Sequence, residues 1–95
     1  IVGNVANNDG GGIYHDATRT AGANSTISVA PTTAVTLTNN LAKNNGGGIS
    51  NSGGATATLN NMQLRSNQAN SDNSGGGDGG GLYQNTGTTT FTGTL

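Results

Sequence analysis

The 95-residue chain contains no cysteine, no tryptophan and no glutamate, one proline, and only 7% charged residues. Without cysteine there are no disulfides, thiolate metal sites or thiol nucleophiles. Three Lys and Arg against four Asp give a net charge of -1. That is no basic footprint for a phosphate backbone or an anionic lipid surface, so nucleic acid and membrane surfaces are excluded as partners. Apolar runs stop at two residues, as in Ile1-Val2, far short of the 18 or so that a spanning helix needs, so no membrane insertion is expected. The first residue is Ile, which implies either that a preceding segment has been removed or that the chain is an excerpt of a longer polypeptide.

What the chain has in quantity is 18 Gly, 15 Asn, 15 Thr and 7 Ser. Leu, Ile, Val and Phe number 15, too few for an ordinary globular core, yet the low net charge is not that of a disordered chain. A repeat resolves the conflict. Asn4 through Gly10, Gly11, Gly12, Ile13 and Tyr14 aligns without a gap on Asn40 through Gly46, Gly47, Gly48, Ile49 and Ser50. A third unit begins at Asn67-Gln68-Ala69, takes an insertion, and resumes at Gly79, Gly80, Gly81, Leu82 and Tyr83. An apolar residue stands three positions before each first Asn, at Ile1, Leu37 and Leu64. Period-two segments follow the glycines at Thr26-Ile27-Ser28-Val29, Thr56-Ala57-Thr58-Leu59 and Thr88-Thr89-Thr90-Phe91.

Short strands parted by Gly and Asn turns, at glycine spacings of 36 and 33 residues, predict an all-β chain folded as one parallel β-helix (β-solenoid) over 1–95. It has about three rungs, approximately 1–36, 37–63 and 64–95. The expected inward columns are Ile13/Ile49/Leu82, Val29/Leu59/Phe91, Ile1/Leu37/Leu64 and Ala6/Ala42/Ala69. Asn4, Asn40 and Asn67 are expected to stack as a hydrogen-bonded ladder, and the triple glycines to occupy a corner where a Cβ would clash.

Gly-Gly-Gly-Ile/Leu paired with apolar-x-x-Asn resembles the right-handed β-helix repeats of bacterial polymorphic outer membrane proteins and autotransporter-adhesin passengers. Those repeats carry Ala where Gly12, Gly48 and Gly81 stand, and Phe where Ile1, Leu37 and Leu64 stand. The resemblance implies an extracellular or cell-surface protein with a structural role.

No residues suggest catalysis or a cofactor. Gly75-Gly76-Gly77-Asp78-Gly79-Gly80 matches a dinucleotide fingerprint in letters only, since no helix can open at Leu82-Tyr83-Gln84. Asp72 and Asp78, with Asn73, have the oxygen ligands for a weak calcium site, against the simpler reading of a solvated loop. His15, Asp16 and Arg19 read as a polar cluster in the first-rung insertion, and Asn24-Ser25-Thr26 is a glycosylation sequon. Thr26/Ser28, Thr56/Thr58 and Thr88/Thr90 are expected to form two outward ranks, which resemble the ice-binding faces of β-solenoid antifreeze proteins. An ice-binding or glycan-binding role on those ranks is the alternative function, with any host or glycan ligand unspecified.

The expected function is a filament subunit or adhesin-type stalk whose partner is itself. From Leu59 to Asn67 is eight steps, and Phe91 to Leu95 followed by Ile1 to Asn4 of another chain is eight as well. Chains would therefore stack in register, with Leu95 of one beside Ile1 of the next.

Overall fold

The computed structural model describes residues 1–16, 26–28, 34–73 and 75–92, with the side chains of 26–28 outside that description. Among these residues there is no helix, as expected of a chain in which Gly, Asn, Thr and Ser dominate. The strands are β1 (Val5–Ala6), β2 (Ile13–Asp16), β3 (Thr26–Ser28), β4 (Val35–Thr38), β5 (Leu41–Ala42), β6 (Ile49–Ser52), β7 (Thr56–Asn60), β8 (Met62–Arg65), β9 (Leu82–Asn85) and β10 (Thr88–Thr92).

Four short parallel sheets result, ordered β1-β5, β2-β6-β9, β3-β7-β10 and β4-β8. Their register follows the repeat residue by residue. Ile13 pairs with Ile49 and Ile49 with Leu82. Leu37 pairs with Leu64, Phe91 with Leu59, and Ala6 with Ala42. Single bridges extend two of the sheets, Val2 to Thr38 and Leu41 to Gln68, so that Ile1 falls beside Leu37 and Ala69 beside Ala42. Val29, the expected partner of Leu59, lies outside the described residues.

In each sheet the second repeat is the middle member, and burial records this. The buried apolar residues are Leu37, Ala42, Ile49, Ala55, Ala57, Leu59 and Met62, and the buried polar ones are Asn40, Ser50 and Asn51. All ten fall between 37 and 62: nine belong to the middle repeat, which has a neighbour on both sides, and the tenth, Met62, opens β8, which pairs with β4 alone. Ile13, Val35, Leu64, Leu82 and Phe91 pack against this core while half-exposed. The Cα positions extend over 35 × 33 × 15 Å, thin in one direction, close to the roughly 14 Å expected of three strands stacked about 4.8 Å apart.

The turns depend on left-handed backbone. Gly3, Asn39 and Ser66, which immediately precede the three aligned Asn residues, have φ of 66°, 56° and 53°. Gly10, Gly46 and Gly79 also share positive φ, and a Cβ on any of them would strike the carbonyl of the residue three positions on. The insertion in the third repeat loops out from one corner. Ala42 to Asn45 is three steps and Ala69 to Asp78 is nine, yet Asp78 N–H still donates to Asn45 Oδ1 at 2.8 Å.

Candidate functional site

The expected asparagine ladder forms, and its bonds run in one sense. Asn4 N–H and Asn4 Nδ2 both donate to Asn40 Oδ1 at 3.0 Å. Asn40 N–H and Asn40 Nδ2 repeat the pattern on Asn67 Oδ1. Each amide also reaches back to the apolar residue of the preceding repeat, Asn40 Nδ2 to Ile1 O at 3.2 Å and Asn67 Nδ2 to Leu37 O at 2.9 Å. The ladder satisfies buried polar groups that a narrow core would otherwise strand. At Asn67 the pattern is open, since its own N–H has no acceptor among the described residues.

The glycine run has the same polarity. Gly10, Gly11, Gly12 and Ile13 donate their N–H groups to Asn45 O, Gly46 O and, for the last two, Gly48 O. Gly46, Gly47, Gly48 and Ile49 donate theirs to Asp78 O, Gly79 O, Gly80 O and Gly81 O. This shared register turns the N–H groups of Gly79, Gly80, Gly81 and Leu82 to the open side of the third repeat, where no described residue accepts from them. On the open side of the first repeat, the carbonyls of Asp9, Gly10 and Gly12 stand in the positions whose equivalents accept in the second and third repeats. At the glycine corner one side is therefore a row of donors and the other a row of acceptors.

Steric demand on the glycines tapers along the same direction. A Cβ on Gly12 would lie 2.7 Å from Gly48 O, and one on Gly48 would lie 2.5 Å from Gly81 O. One on Gly81 would meet only the Leu64 side chain, at 3.7 Å. The expectation of a corner closed to Cβ atoms thus holds for Gly10, Gly11, Gly12, Gly46, Gly47, Gly48 and Gly79. Gly80, with Asn67 O at 3.1 Å, is merely tight, and Gly81 is unconstrained within the chain.

Exposed apolar residues follow the two sides. Ile1, Val2, Val5 and Tyr14, all in the first repeat, are the large exposed ones among the described residues. On the third repeat, Met62, Gln63, Leu64, Arg65 and Phe91 line a groove of about 290 Å³ along the free edge of β8. Ile1 is held in line with β4, its amino group donating to Thr36 O at 3.1 Å and its carbonyl accepting from Thr38 N–H. Leu95, its expected counterpart, lies outside the described residues.

No family model, curated protein or solved structure matches the chain.

A second polar column crosses the sheet β2-β6-β9. Asn51 Nδ2 lies within hydrogen-bond distance of Ala55 O, Gln84 Oε1, Thr88 O and Thr89 Oγ1, and Thr89 Oγ1 in turn donates to Gln84. This cluster ties the corner after β6 to the strand below it. Sequence reading missed it, because a polar residue within a strand of Asn and Ser gives no sign of pointing inward. His15 pairs with Asn51 and Tyr14 with Ser50, so His15 and the buried Ser50 face opposite sides of the sheet and cannot act as a base and nucleophile.

His15 and Asp16 sit in β2 itself, not in the insertion where the sequence reading put them, and Arg19 and Asn24 lie outside the described residues. Tyr14 donates its hydroxyl to Asp16 Oδ2 at 3.0 Å, and that carboxylate holds the phenol above its ordinary value of 10.0. Asp78 belongs to a column with Asn45 and Asp9, since its N–H donates to Asn45 Oδ1 at 2.8 Å and Asn45 N–H donates to Asp9 Oδ1 at 2.9 Å. Among the described residues no three His or Asp side chains gather as metal ligands would.

The threonine ranks are in register, Thr26 with Thr56 and Thr88, and Ser28 with Thr58 and Thr90. On β10 exposure alternates, with Thr88 and Thr90 exposed and Thr89 and Phe91 half-buried. On β7 Thr56 and Thr58 are half-buried between the buried Ala57 and Leu59.

Proposed function

We propose that the chain is a parallel β-helix of about three rungs with a structural role outside the cell, as a subunit of a filament built by head-to-tail stacking or as a segment of an adhesin-type stalk. The observation that carries this reading is the pair of unlike sides, a row of backbone N–H donors at Gly79, Gly80, Gly81 and Leu82 and a row of carbonyls at Asp9, Gly10 and Gly12. Unpaired rows of that kind favour further strand pairing. At that corner a donor row and an acceptor row on opposite sides suit a head-to-tail arrangement, which continues as an open fibre and does not close into a ring. The resemblance to surface β-helix passengers supports the extracellular or cell-surface placement. Neither catalysis nor a cofactor has a part in the reading.

Electron microscopy and sedimentation of the purified chain over a concentration series test the reading. Unbranched fibres that lengthen with concentration are expected, and a strictly monodisperse 9.2 kDa species at every concentration would overturn it.

A second reading, ice or glycan binding, rests on the two threonine ranks and on the exposure of Thr88 and Thr90. Threonine is also an ordinary outward residue of a soluble strand, so the ranks alone do not displace the structural role. Recrystallisation inhibition that disappears in Thr58→Tyr would establish the second reading instead.

A further inference from the structure

Within one chain the column at the glycine corner reads Asp9, Asn45, Asp78, two carboxylates kept apart by a neutral amide. The Oδ1 of each of the first two members accepts the N–H of the residue below it, Asn45 on Asp9 and Asp78 on Asn45. The same register carried onto a second chain places that chain's Asp9 directly below Asp78, because Gly79 then takes the position over Gly10 that Gly10 and Gly46 take over Gly46 and Gly79. We propose that the joint between stacked chains brings Asp78 of one chain against Asp9 of the next, and that this like-charge pair gates assembly by ionic strength. The inference rests on the stacking reading and concerns its control.

Two effects compete at the joint. Asp78 Oδ1 gains the Asp9 N–H of the second chain, a charge-assisted bond in the same geometry as that between Asn45 and Asp78. Against it, two carboxylates meet one strand spacing apart, about 5 Å, where like charges repel appreciably even in water. No cation stands in the column itself, which is Asp9, Asn45 and Asp78. Of the described basic residues, Lys43 lies in the second repeat, two positions from Asn45, and Arg65 thirteen positions before Asp78. Exposed charges more than a Debye length apart are screened, but at about 5 Å the pair stays inside that length at 0.15 M salt and escapes it above about 0.4 M, the length being about 3 Å at 1 M.

The test measures the critical concentration for fibre formation by light scattering and electron microscopy, in 0.01 M to 1 M sodium chloride, for the unaltered chain and for Asp78→Asn, Asp9→Asn and the double variant. Asparagine fits the column, as Asn45 shows. The unaltered chain is expected to assemble more readily as salt rises. Either single variant should lower the critical concentration at low salt about fourfold or more and flatten the salt dependence. The double variant should add little to either, because each change removes the same pair. Fibres with the same salt dependence in all four chains would overturn the gate and leave stacking intact, whereas no fibres from any chain at any salt would overturn the stacking reading itself.

Discussion

Asn40 and Asn67, 27 positions apart, are joined twice, the backbone N–H and the side-chain Nδ2 of Asn40 both meeting the Oδ1 of Asn67 at 3.0 Å. Asn40 is fully buried, and its own Oδ1 serves Asn4 in the same way. Replacing it with Leu keeps the branched shape but takes the acceptor from Asn4 N–H and Asn4 Nδ2, and leaves Ile1 O with Thr38 N–H alone and Asn67 Oδ1 with the backbone N–H of residue 40 alone. Asn40→Leu is expected to destabilise the fold by about 3 kcal/mol or more, read from a denaturant midpoint, with Asn4→Leu costing clearly less because it removes only one rung of the ladder.

Gly48 and Gly81 hold equivalent places in consecutive repeats, but only Gly48 has a carbonyl pressed against its missing Cβ. Gly48→Ala should therefore cost roughly 2–3 kcal/mol of stability, and Gly81→Ala under 0.5 kcal/mol in the single chain. In the stacked arrangement Gly81 acquires the constraint Gly48 already has. Gly81→Ala should then abolish fibres while leaving the thermal midpoint of the dispersed chain unchanged, and fibres of normal abundance would count against that arrangement.

Ser66 carries an L side chain at φ 53° where the aligned position of the first repeat is Gly3 at φ 66°. The strain of a left-handed non-glycine residue is about 1 kcal/mol. Thermal unfolding of Ser66→Gly should show a higher midpoint, and Ser66→Val a lower one, since a β-branched residue tolerates that conformation least.

Tyr14 is titratable in isolation once Tyr83 is replaced by Phe. With its phenol held up by the Asp16 carboxylate, its ionisation in the folded chain should occur above that in the unfolded chain. The stabilisation linked to it is present below about pH 10 and is lost as pH rises through the raised value. Absorbance titration should return Tyr14 towards its ordinary value in Asp16→Asn, and an unchanged titration would show that the hydrogen bond is not what raises it.

The columns Ile13/Ile49/Leu82 and Leu37/Leu64 were readable from the sequence because the ungapped glycine blocks fix the register to the residue, and a parallel pairing one position off would turn every side chain to the wrong face. The same alignment placed Asp9 opposite Asn45. It gave no reason to suppose that Asp78, after an insertion, rejoined that column and not its loop. Asn51 was equally opaque: Ile49-Ser50-Asn51-Ser52 alternates nothing recognisable, and its burial arises from Gln84, Thr88 and Thr89, more than 30 residues away. Long-range polar contacts leave no periodic trace, whereas apolar columns do.

The nine steps from Ala69 to Asp78, where the second repeat uses three, leave the hydrogen bond from Asp78 N–H to Asn45 Oδ1 in place. Chain length at this corner is thus decoupled from the frame on either side of it. Residues here can be lengthened, shortened or exchanged for a foreign peptide with little effect on the strands, because closing a longer loop costs only a logarithmic increment of entropy. The molecule divides into a conserved-geometry scaffold and an editable margin, which makes this corner the natural place to graft an epitope or a reporter tag.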